Sequence, residues 1–139
     1  MDNRLILGGL VPPSFEFFAT MSKRSVFFVS DGTGITAETF GNAILAQFDM
    51  KTRHIRLPFT DTVDKAHQAV RQINQTAETE GNKPIVFTTL VNMDVLKVLQ
   101  EHCQGMLLDM FGTFVNPLEM ELGILSLIHI SEPTRLRRI

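Results

Sequence analysis

The chain has one cysteine among 139 residues and neither tryptophan nor tyrosine. A single thiol cannot close an internal disulfide, so the fold has no need of an oxidising compartment, and a reducing cytoplasm is the expected location. No run approaches the ~20 consecutive apolar residues that a helix needs to cross a bilayer, and no membrane partner is expected. Clustered cations are missing too: between Met21 and Ile124 nine Lys and Arg stand against twelve Asp and Glu. Phosphate neutralisation supplies most of the affinity for nucleic acids, so a nucleic acid is not an expected partner. The histidines have no metal-ligand spacing, and no metal is expected: His54 falls in a strand pattern, His67 and His102 on helices, His129 in the final segment. Cys103 follows His102 directly, but neighbours on a helix point apart, which argues against a nucleophilic pair. The phosphate-gripping P-loop, Gly-x-x-x-x-Gly-Lys-Ser/Thr, occurs nowhere, and Gly81-Asn82-Lys83-Pro84 does not supply one.

What is present is an ordinary globular balance, 44% hydrophobic and 20% charged residues, in a length suited to one domain. Four short apolar runs, Ser25–Ser30, Thr52–Leu57, Pro84–Thr88 and Met106–Asp109, alternate with helical patterns. Connections of that length return each strand parallel to the last through right-handed crossovers. The expected fold is α/β: an open, mainly parallel sheet of about four strands with flanking helices, Rossmann-like or flavodoxin-like, and truncated. The first helix, near Ile35 to Phe48, is expected to bury Ile35, Phe40, Ile44 and Phe48. The second, about Asp61 to Thr79, carries a stripe of Val63, Ala66, Val70, Ile73 and Ala77 and ends at Gly81. The third, near Val91 to His102, is expected to bury Val95, Val98 and Leu99. A fourth is expected to start at Asn116-Pro117-Leu118-Glu119, with Asn116 as cap and proline at the first helical position.

The most informative stretch is Ser25 to Thr39, where an apolar strand stops at Asp31-Gly32-Thr33-Gly34 and a helix pattern follows at once. Two glycines allow backbone angles closed to other residues and close approach of a ligand, while the free N–H groups of a new helix favour an anion. Asp31 works against phosphate unless it binds a metal, caps the turn or takes a proton. The alternative is a tight turn in which Asp31 and Thr33 satisfy backbone groups. In open parallel sheets, ligands bind beyond the carboxyl ends of the strands. Those ends bring forward Asp31 as a catalytic residue and Gly32, Thr33, Gly34, Thr36, Thr88, Thr89 and Thr113 as phosphate or substrate contacts, with Asp109 nearby. The three threonines at the later strand ends could equally cap turns.

The string Phe27-Phe28-Val29-Ser30-Asp31-Gly32-Thr33-Gly34-Ile35-Thr36-Ala37-Glu38-Thr39 resembles the start of the bacterial phosphoenolpyruvate synthase regulatory proteins, relatives of the plant pyruvate,phosphate dikinase regulatory proteins. The resemblance continues through Leu57-Pro58-Phe59, Val70 to Asn74, Pro84 to Asn92 and Gly105 to Phe114, and covers Met21 to Ile124. It implies a bifunctional enzyme in the intact protein. ADP would phosphorylate a threonine of phosphoenolpyruvate synthase or pyruvate,phosphate dikinase, and inorganic phosphate would remove that group as pyrophosphate. It also implies a homodimer as one possible assembly, and a nucleotide P-loop in a half that this chain lacks. The chain by itself would then be no kinase and would hold ADP and phosphate only weakly. Two other classes stay open: a stand-alone receiver-like or flavodoxin-like module binding phosphate or metal at Asp31, and a structural domain that docks the target.

Residues Met1 to Thr20 read as an extension ahead of a natural start at Met21, since Pro12-Pro13, Asp2 and Glu16 spoil a signal peptide. The run Leu125 to Arg135 resembles, codon by codon, the translation of a transposase-library sequencing adapter, and Leu136 to Ile139 fits its continued frame. Both ends are expected to pack poorly.

Overall fold

Val26, Phe27, Phe28 and Val29 are all fully buried, which a strand achieves only when both of its faces are covered. They belong to β1 (Arg24–Ser30), one of four strands in the computed structural model of the protein, which describes residues 24–129. The whole of the proposed leading extension, Met1 to Thr20, and residues 130–139 of the final segment lie outside the described residues. With β2 (Thr52–Leu57), β3 (Ile85–Thr89) and β4 (Met106–Asp109), β1 forms an all-parallel sheet in the order β2-β1-β3-β4. The strand boundaries match the apolar runs to within one residue.

Helix α1 (Ile35–Leu45) covers one face, and α2 (Val63–Glu80) and α3 (Met93–His102) cover the other. Phe27, Val29 and Val86 meet Ala66, Ala69, Val70 and Ile73 of α2 and Val95, Leu96 and Leu99 of α3. On the opposite face Val26, Phe28 and Phe87 meet Ala37 of α1 and Met110. Phe28 and Phe87 stack at 5.7 Å, and His54 sets its ring edge-on to Phe28 at 5.4 Å. At the amino end of the sheet, Ser25 Oγ donates to Glu80 Oε2 at 2.6 Å, and Arg53 reaches both groups at 3.1 Å, tying β1, β2 and the end of α2.

The helix ends follow local chemistry. Thr62 caps α2 by accepting Lys65 N–H at 3.1 Å, and Gly81 closes it with φ 70°. Asn92 caps α3, accepting the N–H groups of Asp94 and Val95, which moves that start from Val91 to Met93.

Two expectations are corrected. α1 does not bury Ile35, Ile44 or Phe48, which are 57%, 37% and 61% exposed. Its inner side is Ala37 and Gly41, because the sheet presents large rings there: a Cβ on Gly41 would stand 2.5 Å from Phe28 Cε1 and 3.1 Å from Phe87. Small residues on the helix complement large ones on the strands. Asn116 is also no helix cap. A π-helical turn, Phe111–Val115, already runs into α4 (Asn116–Leu122), and Asn116 N–H bonds back to Phe111 O, five residues earlier. Pro117 sits just after this wide turn, where its missing N–H matters least.

Candidate functional site

β1 leads leftward to β2 and β3 lies on its other side, so the strand order reverses between β1 and β3. A crevice beyond the carboxyl ends of two such strands is where open α/β sheets take ligands. Here it holds a cavity of about 280 Å³ lined by Ser30 to Thr36, Thr89, Val91, Phe111 and Ile128. Asp31, Gly32, Thr33, Gly34, Thr36 and Thr89, all singled out by sequence, meet on it.

Asp31 has a visible structural task. Its Oδ2 accepts the Val91 N–H at 2.8 Å, linking the loop after β1 to the loop after β3. Ser30 Oγ accepts the Gly32 N–H at 3.0 Å, and Thr33 Oγ1 accepts the Ile35 N–H at a long 3.4 Å. Of the two glycines only Gly34 takes the left-handed conformation, with φ 85° at the cap position of α1. Gly32 does not use that freedom: its φ is not in that range, and a Cβ there would find nothing nearer than Ser30 Oγ at 3.8 Å.

The loop is also held from the β2 side. Phe59 N–H donates to Gly32 O at 2.7 Å and Thr60 N–H to Ser30 O at 2.8 Å, carrying the pairing of β1 and β2 beyond the strand ends. Phe59 does this with φ 55°, the one non-glycine residue at positive φ among the described residues. A bulky side chain in that region costs about 1–2 kcal/mol, so its neighbours over-determine its conformation.

Two predicted contacts fall elsewhere. Successive strand residues face opposite sides, so of the pair Thr88-Thr89 only Thr89 lines the cavity. Thr88, fully buried, donates to Asp109 Oδ1 at 3.2 Å. The other Asp109 oxygen lies against Gly112, where a Cβ would approach it to 2.5 Å. Thr113 is exposed on the π turn and is not among the residues lining the cavity.

One residue that the sequence reading passed over stands beside the loop. Arg56, near the carboxyl end of β2, lays its side chain over Gly34, with Cγ and Cδ 2.9 and 3.0 Å from where a Gly34 Cβ would be. Its guanidinium lies 3.6 Å from Glu38 Oε1 in the first turn of α1. Strand alternation on β2 could have found it, because Arg56 pairs with Phe28 on the α1 face. Val91, Phe111 and Ile128 carried no local signal.

The described part of the final segment is a short turn, Leu127–His129. Leu125 and Leu127 are 61% and 85% exposed, yet Glu119 Oε2 accepts the Ser126 N–H at 2.7 Å and bonds His129 Nδ1 at 2.6 Å. Hydrogen bonds from Ser126, and then His129, hold the Glu119 carboxyl down to about 2. Among the described residues no cluster of His, Cys, Asp or Glu is arranged to hold a metal, and no helix is long and apolar enough to cross a membrane.

Comparison with known proteins gives this geometry a context. A sequence model of the kinase/pyrophosphorylase family matches residues 26–138. The chain is 82% identical over 106 residues to a protein of Verminephrobacter eiseniae (strain EF01-2) named "Putative phosphoenolpyruvate synthase regulatory protein". Proteins of the same name from Paracidovorax citrulli (strain AAC00-1) and Variovorax paradoxus (strain S110) are 79% identical over 107 residues and 76% identical over 106. These alignments cover 76–77% of this chain and 39% of each relative, so the chain spans well under half the length of the proteins it matches. With the match running through four strands, three crossover helices and the Asp31 loop, the chain belongs to the kinase/pyrophosphorylase family.

Proposed function

We propose that the chain is the loop-bearing part of a bifunctional protein kinase and phosphorylase that regulates phosphoenolpyruvate synthase, and that the Asp31 cavity seats a phosphoryl group. The observation that carries this reading is the convergence of Asp31, Gly32, Gly34, Thr36 and Thr89 on one cavity at the reversal of strand order, in a chain so similar to proteins named for regulating that synthase.

In the inactivating direction the terminal phosphoryl group of ADP passes to a threonine hydroxyl of the synthase. In the other, an oxygen of inorganic phosphate attacks the phosphothreonine phosphorus, the threonine oxygen leaves with a proton, and pyrophosphate departs. The N–H groups opening α1 and the hydroxyls of Thr36 and Thr89 suit the phosphate oxygens. Because Asp31 already accepts the Val91 N–H, its charge is partly satisfied, and its second oxygen is the one to relay the proton from the attacking phosphate to the leaving threonine. Arg56, a few ångströms away and paired with Glu38, offers a cation to the same anion. Without the lysine of a P-loop, the chain alone is inactive as a kinase. This work belongs in the cytoplasm, where the single cysteine stays reduced.

The test uses the full-length Verminephrobacter relative with phosphothreonine-labelled synthase, substituting the positions aligned with Asp31 (to Asn) and Gly32 (to Val). Gly32 is the better probe than Gly34, since a side chain at Gly34 would strain the backbone as well as block a ligand. Folded variants should release pyrophosphate at least tenfold more slowly. Wild-type rates in both directions would reduce the loop to a structural turn.

A further inference from the structure

The two edges of the sheet are built differently. β2 carries Arg53, His54 and Arg56, and cations on an edge strand discourage another strand from pairing with it. β4, at the other edge, begins Met106-Leu107-Leu108 and has no basic residue. Its side chains on the α1 face are bare: Met106 is 51% and Leu108 36% exposed. α1 lies over β1 and β3, and the π turn after β4 meets α1 where Phe114 sets its ring edge-on to Phe40 at 5.3 Å.

α4, packed on the π turn that follows β4, is uncovered as well. Leu118 and Leu122, four residues apart on one side of the helix, are 57% and 63% exposed, and none of its residues is buried. Seven residues are too few for a helix to persist in water on propensity alone, so it needs a surface to pack against. Four large apolar side chains left uncovered on β4 and α4 are a mark of an interface.

We propose that the bare edge and α1-side face of β4, together with the Leu118–Leu122 side of α4, form the seat of the additional polypeptide by which the relatives exceed this chain. The length on the page argues for that occupant over a separate partner: the chain accounts for 39% of each relative, so the larger part of those proteins lies outside the unit described here. The family match runs through β4 and α4, so both elements belong to the part that the relatives share. One edge of the sheet would then be an outer edge and the other an inner one.

The experiment compares amide hydrogen exchange in this chain with that in the full-length Verminephrobacter relative, alongside light scattering of both. Segments equivalent to β4 and α4 should exchange at least tenfold more slowly in the full-length protein, while α2, already packed on the other face, changes by less than threefold. Equal exchange of β4 and α4 in the two proteins would overturn the proposal. So would dimerisation of this chain that is abolished by Leu118→Lys with Leu122→Lys, since a second copy would then be the occupant. Because α4 contributes no buried residue, those substitutions leave the core of this chain intact.

Discussion

The carboxylate of Asp31 and the backbone N–H of Val91, sixty positions apart in sequence, meet at 2.8 Å and join the two loops that flank the reversal of strand order. An amide oxygen can accept that N–H as a carboxylate does, whereas a methyl group cannot. Asp31→Asn should therefore stay within about 0.5 kcal/mol of the parent in urea unfolding, and Asp31→Ala should lose about 1–2 kcal/mol, the range for a charge-assisted bond at a partly exposed site. Equal stability of the two variants would mean that the bond is not made in solution.

Gly41 separates two opposing effects. Replacing glycine by alanine inside a helix favours folding by about 1 kcal/mol. The new Cβ, however, would stand 2.5 Å from a ring of Phe28 that is fully buried and stacked on Phe87, so the neighbour has nowhere to go. Overpacking of that kind costs about 1–3 kcal/mol. Gly41→Ala should be net destabilising by about 1 kcal/mol, read as a lower urea midpoint; a gain in stability would show that α1 rides further from the sheet.

ADP should bind this chain with a Kd weaker than about 1 mM, because the sequence contains no P-loop, whose lysine and N–H cradle would hold its phosphates. Titration calorimetry decides it. A micromolar Kd would move the nucleotide site into this unit.

Cys103 is half-buried against the α2–α3 core, and burial pushes its thiol above the ordinary value of 9.0, against a smaller lowering by the Gly105 N–H. Only the thiolate reacts, so modification by a disulfide reagent at pH 8 should be slower in the folded chain than in guanidinium. A raised value in the folded state favours the protonated form. The associated stability is present below pH 9 and is lost as pH climbs through the folded value, so alkaline unfolding should shift upward in Cys103→Ala.

Glu119 runs the other way. Its carboxyl is held at about 2 instead of 4.5, so the contribution of its bonds to Ser126 and His129 is complete above pH 4.5 and disappears as pH falls from there through 2. The Ser126 amide proton, followed by NMR, should titrate with a midpoint near 2; a midpoint near 4.5 would mean the contact does not form.

The strands were legible because their runs are short and bounded and those of β1 and β3 are buried on both faces, and α2 because Ala66, Val70 and Ile73 recur at helical spacing before Gly81. α1 misled because its sequence advertises Ile35, Ile44 and Phe48, while the side pressed on the sheet is Ala37 and Gly41. Local hydropathy cannot see that the opposing strands hold Phe28 and Phe87 and so require small partners. The Asn116-Pro117 pair misled in another way, as a start signal inside a helix that was already running.

That the Asp31 loop would line a cavity at the carboxyl ends of the strands was legible from the strand-end rule. Its supports were not. Val91, Phe59 and Arg56 reach it only through the β2-β1-β3 order, and choosing Thr89 over Thr88 needed the strand register.

The clamping of Ser30, Gly32 and Asp31 from both neighbouring loops has a consequence for how this cavity could diversify. Three of the bonds that set its shape use backbone N–H groups of Phe59, Thr60 and Val91, and two of their acceptors are backbone carbonyls. The side chain of Thr33 is exposed and contributes one long hydrogen bond. A descendant of this sequence could therefore exchange Thr33 for a larger or charged residue and change the shape and charge of the cavity's rim, while the frame beneath it kept its form.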